Sequence, residues 1–405
     1  MIAQKYHMTK RFFGNFTQQE PIPEDAIAAA VRVMQSGRLH RYNLGPDEIG
    51  EVSLLEREFA DYVGAKYCIA VASGGYALAT ALRALGVKAG DRILTNAFTL
   101  APVPGAIASI GAIPIFVDVD EQLTIDLHDL EAKADQADVL MLSHMRGHLC
   151  NMDALLDICA RHEIQVIEDC AHTMGATWRG RASGTDGIIG CYSTQTYKHM
   201  NSGEGGLLVT DDPEIAAKAT MLSGSYMLYE KHGAGPDPDV FAQIRYETPN
   251  VSGRMDHLRA AILRPQLCNI DQSIAAWNAR YQRVEGGLRS IEGLRVIERP
   301  SDEFYVGSSI QFLLLDWDAS YIESVVSKAA ARGVELKWFG APEPRGFTSR
   351  YDSWKYAPKQ SLPKSDRILH GILDMRLPLT FSLEDCDVIC EIIADVVRDV
   401  TAIRG

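Results

Sequence analysis

From residue 47 to 223, short apolar runs alternate with segments whose apolar positions recur at helical spacing. The runs are YCIAVA (67–72), RILT (92–95), IPIFVDV (113–119), VLMLSH (139–144), IQVIED (164–169), IIGCYS (188–193) and GLLVT (206–210). They are apolar throughout rather than alternating, which suits strands covered on both faces by helices. Between them, Tyr76–Leu85, Pro102–Ile110 and Met152–His162 carry helical spacing, as does Glu48–Val63 before the first run, ending at Gly64. The pattern predicts an α/β fold: a mostly parallel seven-stranded sheet flanked by helices, with chemistry at the carboxyl ends of the strands.

Beyond this region the pattern changes. Asp256 to about Ile291 predicts one long helix leaving the large domain. A strand over SIQFLLLDW (309–317), a helix over Ala319–Arg332, a strand over Val334–Trp338 and a last helix over Leu383–Val400 predict a smaller C-terminal α/β domain. Phe339–Pro363, rich in Pro, Gly and aromatics, reads as a structured loop. The expected division is an N-terminal segment (1–45), a large domain (46–270) and a small domain (271–405).

Composition narrows the function. At 405 residues and 46% hydrophobic, the chain is too long for one ordinary core. A net charge of −13, with no Lys/Arg run longer than two, argues against nucleic acid and anionic membranes as partners. No apolar stretch has signal-peptide or membrane-spanning character, so a cytoplasmic location is expected. Eight scattered cysteines without a CxxC pair read as free thiols, with no metal site expected.

Three segments carry candidate chemistry. Lys198 follows an apolar strand and precedes SGEGG. Desolvation there favours the neutral amine, which attacks an aldehyde to form a Schiff base; the alternative is a surface lysine beside a glycine turn. Asp169 ends the strand IQVIED, where a carboxylate can pair with a pyridinium N–H; the alternative is a helix cap. His172, three residues on, is placed to reach a cofactor oxygen or pack over its ring, unless it is structural. Ser73-Gly74-Gly75 joins a strand to a helix and resembles a phosphate cradle, or simply a tight turn. Ser193 is a further hydroxyl for the same phosphate.

A cradle, a strand-end Asp about 95 residues later and a Lys about 30 residues after that is the order found in fold type I pyridoxal-5′-phosphate (PLP) enzymes. Over roughly residues 40 to 400 the chain resembles the DegT/StrS family, the sugar aminotransferases. The resemblance is carried by LGPDEIGEVSLLEREFADYVGAKYCIAVASGG, GAIPIFVDVD, GHLCNMDALLDICARHEIQVIEDCAHTMGA, YSTQTYKHMNSGEGG, GRMDHLRAAILRPQL and RLPLTFSLED. It implies that Lys198 forms the internal aldimine and shuttles the proton, that Asp169 pairs with the pyridine nitrogen and that His172 stands beside the cofactor oxygen. It assigns the phosphate to Ser193 and the Gly74–Gly75 amides. It also implies a homodimer with shared sites, completed by the partner's TPNVSGRMD loop.

This chain departs from the family in places. The loop carries Ser252, Gly253 and Arg254 where the family has Asn-aromatic-Arg, so Asn250, Ser252 and Arg254 all stay open as phosphate contacts. Gly75 replaces the cradle threonine. The ring's cover is open between Phe98, Tyr76 and Leu100. On the substrate side, Arg146, Arg345 and Arg350 are candidates for a donor carboxylate, or ordinary surface ion pairs. The resemblance implies amino transfer from glutamate or glutamine, through pyridoxamine phosphate, to a ketone of a sugar nucleotide or related polyhydroxylated ring. A cyclitol or small keto-acid acceptor is the nearest alternative, and a cofactor-binding scaffold without turnover the more distant one.

Overall fold

The computed structural model describes residues 10–45 and 48–404. The start of the N-terminal segment (1–9), the two residues after its boundary (46–47) and the last residue lie outside that description.

All seven predicted runs are strands of one sheet: β1 (Tyr67–Val71), β2 (Arg92–Asn96), β3 (Ile113–Val117), β4 (Val139–Ser143), β5 (Gln165–Asp169), β6 (Ile189–Ser193) and β7 (Gly206–Thr210). Their order is β1-β7-β6-β5-β4-β2-β3. Only β7 runs against the others, pairing antiparallel with both β1 and β6. β4, β6 and β7 are buried at every position, as the continuous apolar runs required. In the β4–β5 register Ser143 faces Asp169, and both end their strands on the same edge of the sheet.

Helix α1 (Glu24–Ser36), which the pattern did not predict, lies in the N-terminal segment and buries Ala29 and Val33 against Ala261. Helix α2 (Glu51–Val63) stops at Gly64, whose φ of 79° suits the left-handed cap. It starts three residues later than predicted, because Gly50 before it is extended. Helices α3 (Gly74–Ala84), α4 (Pro102–Ser109) and α5 (Met152–Arg161) fall within one or two residues of their predicted spans.

The single long helix expected from Asp256 is a correction. It is two helices, α6 (His257–Cys268) and α7 (Ile270–Arg289), broken at Asn269. Pro265 brings no N–H to its turn. The Asn269 side-chain amide donates to the Pro265 carbonyl at 2.9 Å, while its own N–H turns back to Gln266 O at 3.2 Å. Apolar spacing runs through this break, so periodicity alone did not show it.

A second sheet combines β8 (Arg295–Val296), β9 (Ser309–Leu313), β10 (Lys337–Trp338) and β11 (Ile372–Arg376), all antiparallel, in the order β8-β9-β11-β10. The predicted strand over Val334–Trp338 shrinks to β10, and β11 was not predicted. Alternation divides this sheet's faces. Ile310, Phe312, Leu373 and Met375 join a core with Val284 and Leu288 of α7 and with Ile389 and Val397 of the last helix, α8 (Leu383–Arg404). Phe12 and Phe16 enter the same core, edge-on to Phe381 at 5.0 and 4.9 Å. The other face presents Gln311, Lys337, Asp374 and Arg376, in register across β9, β11 and β10.

Seven of the eight cysteines are buried and unpaired, and Cys268 is exposed. Among the described residues no helix is long and apolar enough to cross a membrane.

Candidate active site

The strand ends of the large sheet and the polar face of the small sheet enclose a cavity of about 740 Å³. Ser73, Gly74, Gly75, Leu100, His172, Ser193 and Lys198 line it, together with Arg146, Lys337 and Arg376.

Lys198 sits in the loop from β6 to β7. That loop is closed by backbone bonds from Thr194 N to Gly205 O (3.0 Å) and from Thr196 N to Gly203 O (3.1 Å), with Gly203 at φ 80°. Lys198 Nζ lies 2.8 Å from His172 Nε2. Burial, reinforced by the positive field of Arg146, lowers the lysine pKa to about 7, with Asp169 opposing the shift. Burial and the Lys198 charge likewise hold His172 well below its ordinary value. At neutral pH the site therefore offers a neutral imidazole against an amine that is about half deprotonated.

Asp169 closes β5. One carboxylate oxygen accepts from Ala171 N at 3.1 Å and the other from Ser143 Oγ at 3.2 Å. Ser143 in turn accepts from Thr99 Oγ1 at 2.8 Å, and its backbone N–H is held by Asn96 Oδ1 at 2.8 Å. Burial raises the carboxyl pKa, with Lys198 and these donors pulling the other way. A cationic N–H brought to Asp169 would complete its neutralisation. Neighbouring Glu168 points to the other face. It accepts from Gly184, Asp186 and Gly187 N–H groups at 2.9, 3.0 and 2.7 Å and pairs with His144 at 2.8 Å. His144, Glu168 and Cys170 come close enough to resemble a metal cluster, but the carboxylate oxygens are already engaged.

The cradle is the N-terminus of α3. Ser73 caps it, accepting from Tyr76 N at 3.1 Å, which leaves the first free N–H groups at Gly74 and Gly75. A Cβ on Gly74 would stand 2.8 Å from Ser193 Cβ, so glycine is what lets helix and strand end converge on one small anion. These residues fit pyridoxal phosphate: an anion cradle, a desolvated amine and a buried carboxylate share one cavity. When bound, the group supplies an electron sink and an amine carrier.

Other predicted residues lie elsewhere. Phe98 does not reach the cavity; it is buried edge-on to Phe339 at 5.1 Å. Tyr76 packs beneath Gly253 and donates its hydroxyl hydrogen to Leu222 O at 3.0 Å. Leu100 is the only one of the three proposed ring covers on the cavity wall. Arg254 donates to Gly224 O at 2.7 Å, and its loop runs along β1 through the Ala72 N to Gly253 O bond of 2.7 Å. Neither Arg254 nor the exposed Asn250 lines this chain's own cavity. Of the arginine candidates, Arg350 is paired with Asp352 at 2.6 Å, Arg345 faces a neighbouring groove, and Arg146 alone reaches the cavity.

Sequence reasoning missed Asn96, Thr99, Ser143, Tyr197, Lys337 and Arg376. Asn96 and Ser143 end strands β2 and β4; Asn96 directly follows the predicted run RILT and Ser143 is next to last in VLMLSH, so their position near a strand end was a usable signal.

A doubly covered sheet with a lysine, a carboxylate and a phosphate cradle at its strand ends defines a PLP enzyme of fold type I. The chain belongs to the DegT/DnrJ/EryC1/StrS aminotransferase family, whose pattern it matches over residues 21–394. It is 33% identical to the dTDP-3-amino-3,4,6-trideoxy-alpha-D-glucose transaminase of Streptomyces venezuelae, over 88% of each chain. It is 30% identical to a putative L-glutamine:3-amino-2,3-dideoxy-scyllo-inosose aminotransferase of Streptoalloteichus tenebrarius, over 86% of each. The crystal structure of 3-amino-5-hydroxybenzoic acid synthase superposes with a TM-score of 0.80 at 26% identity, covering 95% of this chain and 99% of that one. Pyridoxal 5′-phosphate is the cofactor of this enzyme.

Proposed function

We propose that this aminotransferase moves an amino group from glutamine or glutamate to a ketone on a sugar nucleotide or a related polyhydroxylated ring. The observation that carries the reading is Lys198: a buried amine 2.8 Å from His172, with its pKa lowered to about 7, in one cavity with the α3 cradle. Lys198 holds the cofactor and moves the proton at the reacting carbon. Asp169 pairs with the pyridine nitrogen and keeps it protonated. His172 orients the amine, and Gly74, Gly75 and Ser193 bind phosphate. The relatives' named substrates, a deoxysugar nucleotide and an aminated inosose, support the acceptor class. We assign cofactor binding to residues 46–270 and closure of the cavity to 271–405.

The test is a mass-spectrometric screen of ketone acceptors with L-glutamine or L-glutamate as donor. Amination of none of the sugar or ring ketones would overturn the reading.

The reading includes a homodimer with shared sites. Supporting it, Tyr226, Met227, Leu228, Tyr246 and Val251 are exposed apolar residues in the sequence around the Asn250–Arg254 loop. Mixing Lys198→Ala with Asn250→Ala/Arg254→Ala should restore about a quarter of wild-type activity if the loop serves the partner's site, assuming random exchange and independent sites. No recovery after subunit exchange would place the loop at its own site. A cytoplasmic setting fits the buried, unpaired thiols.

A further inference from the structure

We propose that Arg146, Lys337 and Arg376 form a subsite for a carboxylate on the substrate, a reading that rests on the aminotransferase function above. The three come from different parts of the chain. Arg146 follows β4 in a left-handed turn at φ 56°, Lys337 opens β10 and Arg376 ends β11. Asp374 and Arg376 are two apart on β11 and share a face, and Lys337 is opposite Asp374 in the ladder, so the small sheet aims them together. All three cations line the cavity that holds Lys198.

Their partners do not balance them. Arg146, only 8% exposed, lies 3.0 Å from the fully buried Asp374. That carboxylate is also held by Gln311 Nε2 at 2.7 Å, and Gln311 by His148 at 2.7 Å. Even so, Arg146 Nε and Nη2 are buried without an aligned hydrogen bond. Arg376 stacks its guanidinium on the Tyr197 ring, 3.9 Å from the centroid. Stacking uses the face of the guanidinium and leaves its in-plane N–H fork free. Among the described residues neither the Arg376 nor the Lys337 side chain has an ion pair or a hydrogen bond. Burial lowers the pKa of both, and mutual repulsion with Arg146 adds to it. Asp374 offsets one charge, and exposed Glu335 at the rim is the other nearby anion. Desolvated, unpartnered cations on a cavity wall are stabilised by an anion that arrives with the ligand, and the planar Arg fork matches a carboxylate.

Two sources supply that chemistry. One is the carboxylate of the amino donor; the other is a carboxylate borne by the ketone acceptor.

The test uses the cofactor-loaded protein and calorimetry, with glutarate as the probe and glutaramide as its uncharged counterpart. Wild type should bind glutarate, and glutaramide at least about tenfold more weakly. Arg376→Gln/Lys337→Gln should weaken glutarate by a similar factor while borohydride still fixes the cofactor to Lys198. Equal glutarate affinity in both proteins, equal affinity for the two probes, or no glutarate binding by wild type overturns the subsite. If borohydride fixes nothing on Lys198, the assignment of that lysine fails instead, and the calorimetric comparison still decides the subsite. The half-reactions identify the source. A raised KM for L-glutamine in the double variant assigns the subsite to the donor. A loss confined to the second half-reaction, with 4-oxocyclohexanecarboxylate but not cyclohexanone, assigns it to the acceptor.

Discussion

At the strand-end wall of the cavity the ionisable groups face close partners: Lys198 meets His172 at 2.8 Å, and Asp169 takes hydrogen bonds from Ser143 and Ala171. Across the cavity, among the described residues, the Arg376 and Lys337 side chains have no such partners, and Arg146 is only partly matched by Asp374. The first wall is preorganised, with burial and short contacts setting protonation before any ligand arrives. The second is left open, so its electrostatics are completed by what binds. The contrast separates the machinery that runs a reaction from the surface that chooses its substrate.

The sharpest way to break this division is to remove the amine. Lys198→Ala should lower transamination by more than about a thousandfold, since both the covalent anchor and the general base go. It should still fold and bind pyridoxamine phosphate through the cradle. In wild type, borohydride should fix the cofactor onto Lys198; mass spectrometry finding it on another lysine would sink the assignment. Asp169→Asn comes next, with turnover down on the order of 100-fold. Near-normal turnover in that variant would leave Asp169 only capping the turn that follows β5, through Ala171 N.

The two walls also differ in how far they could be read from the sequence. Asp169 ends a continuous apolar strand, and Ser73–Gly75 and Lys198 follow within a few residues of one, each inside a compact local pattern, and strand ends in such sheets converge. The small-sheet wall has no local pattern. Arg376 is separated from Arg146 by 230 positions, and ILDMR (372–376) carries too much charge to read as a strand. Its alternation becomes meaningful only once β9 and β10 are laid beside it. Phe98 illustrates the limit of alignment: the strand before it was read correctly, but the turn after Asn96 sends the ring into the core against Phe339. The break at Asn269 is a tertiary and side-chain event that apolar spacing does not encode.

A gentler perturbation is pH. In the cofactor-free protein the Lys198 pKa is lowered to about 7, so the reactive neutral amine is depleted as pH falls through that value. Cofactor capture should be about tenfold slower at pH 6 than on its plateau above pH 8. The same shift sets a stability slope. Between about pH 7 and 10.4 the unfolded lysine holds its proton and the folded one does not, so this group makes stability rise with pH across that window. Lys198→Ala should flatten that slope. A capture rate that goes on rising about tenfold per pH unit beyond pH 8, toward the ordinary lysine pKa, would show that the amine is not desolvated as the cavity implies.

The smallest effect tests whether the strand-end wall is preorganised down to its outer contacts. Ser143 is a positioning residue: its hydroxyl accepts a hydrogen bond from Thr99 Oγ1 at 2.8 Å and donates one to Asp169 at 3.2 Å. In Ser143→Ala, Asp169 keeps only the Ala171 N–H, and Thr99 loses its acceptor. One such bond contributes about 1 kcal/mol, so turnover should fall about fivefold, with KM for the donor little changed. Losing a donor to the charged carboxylate also raises the Asp169 pKa, so the acid limb of the kcat profile should move to higher pH. That displacement is what distinguishes positioning from packing, because a void left by one oxygen would lower stability without moving the limb. Ser143→Thr keeps the hydroxyl and should recover most of the rate. If Thr is as poor as Ala and the acid limb stays in place, the strand-end wall relies on shape at this point rather than on the Thr99–Ser143–Asp169 relay.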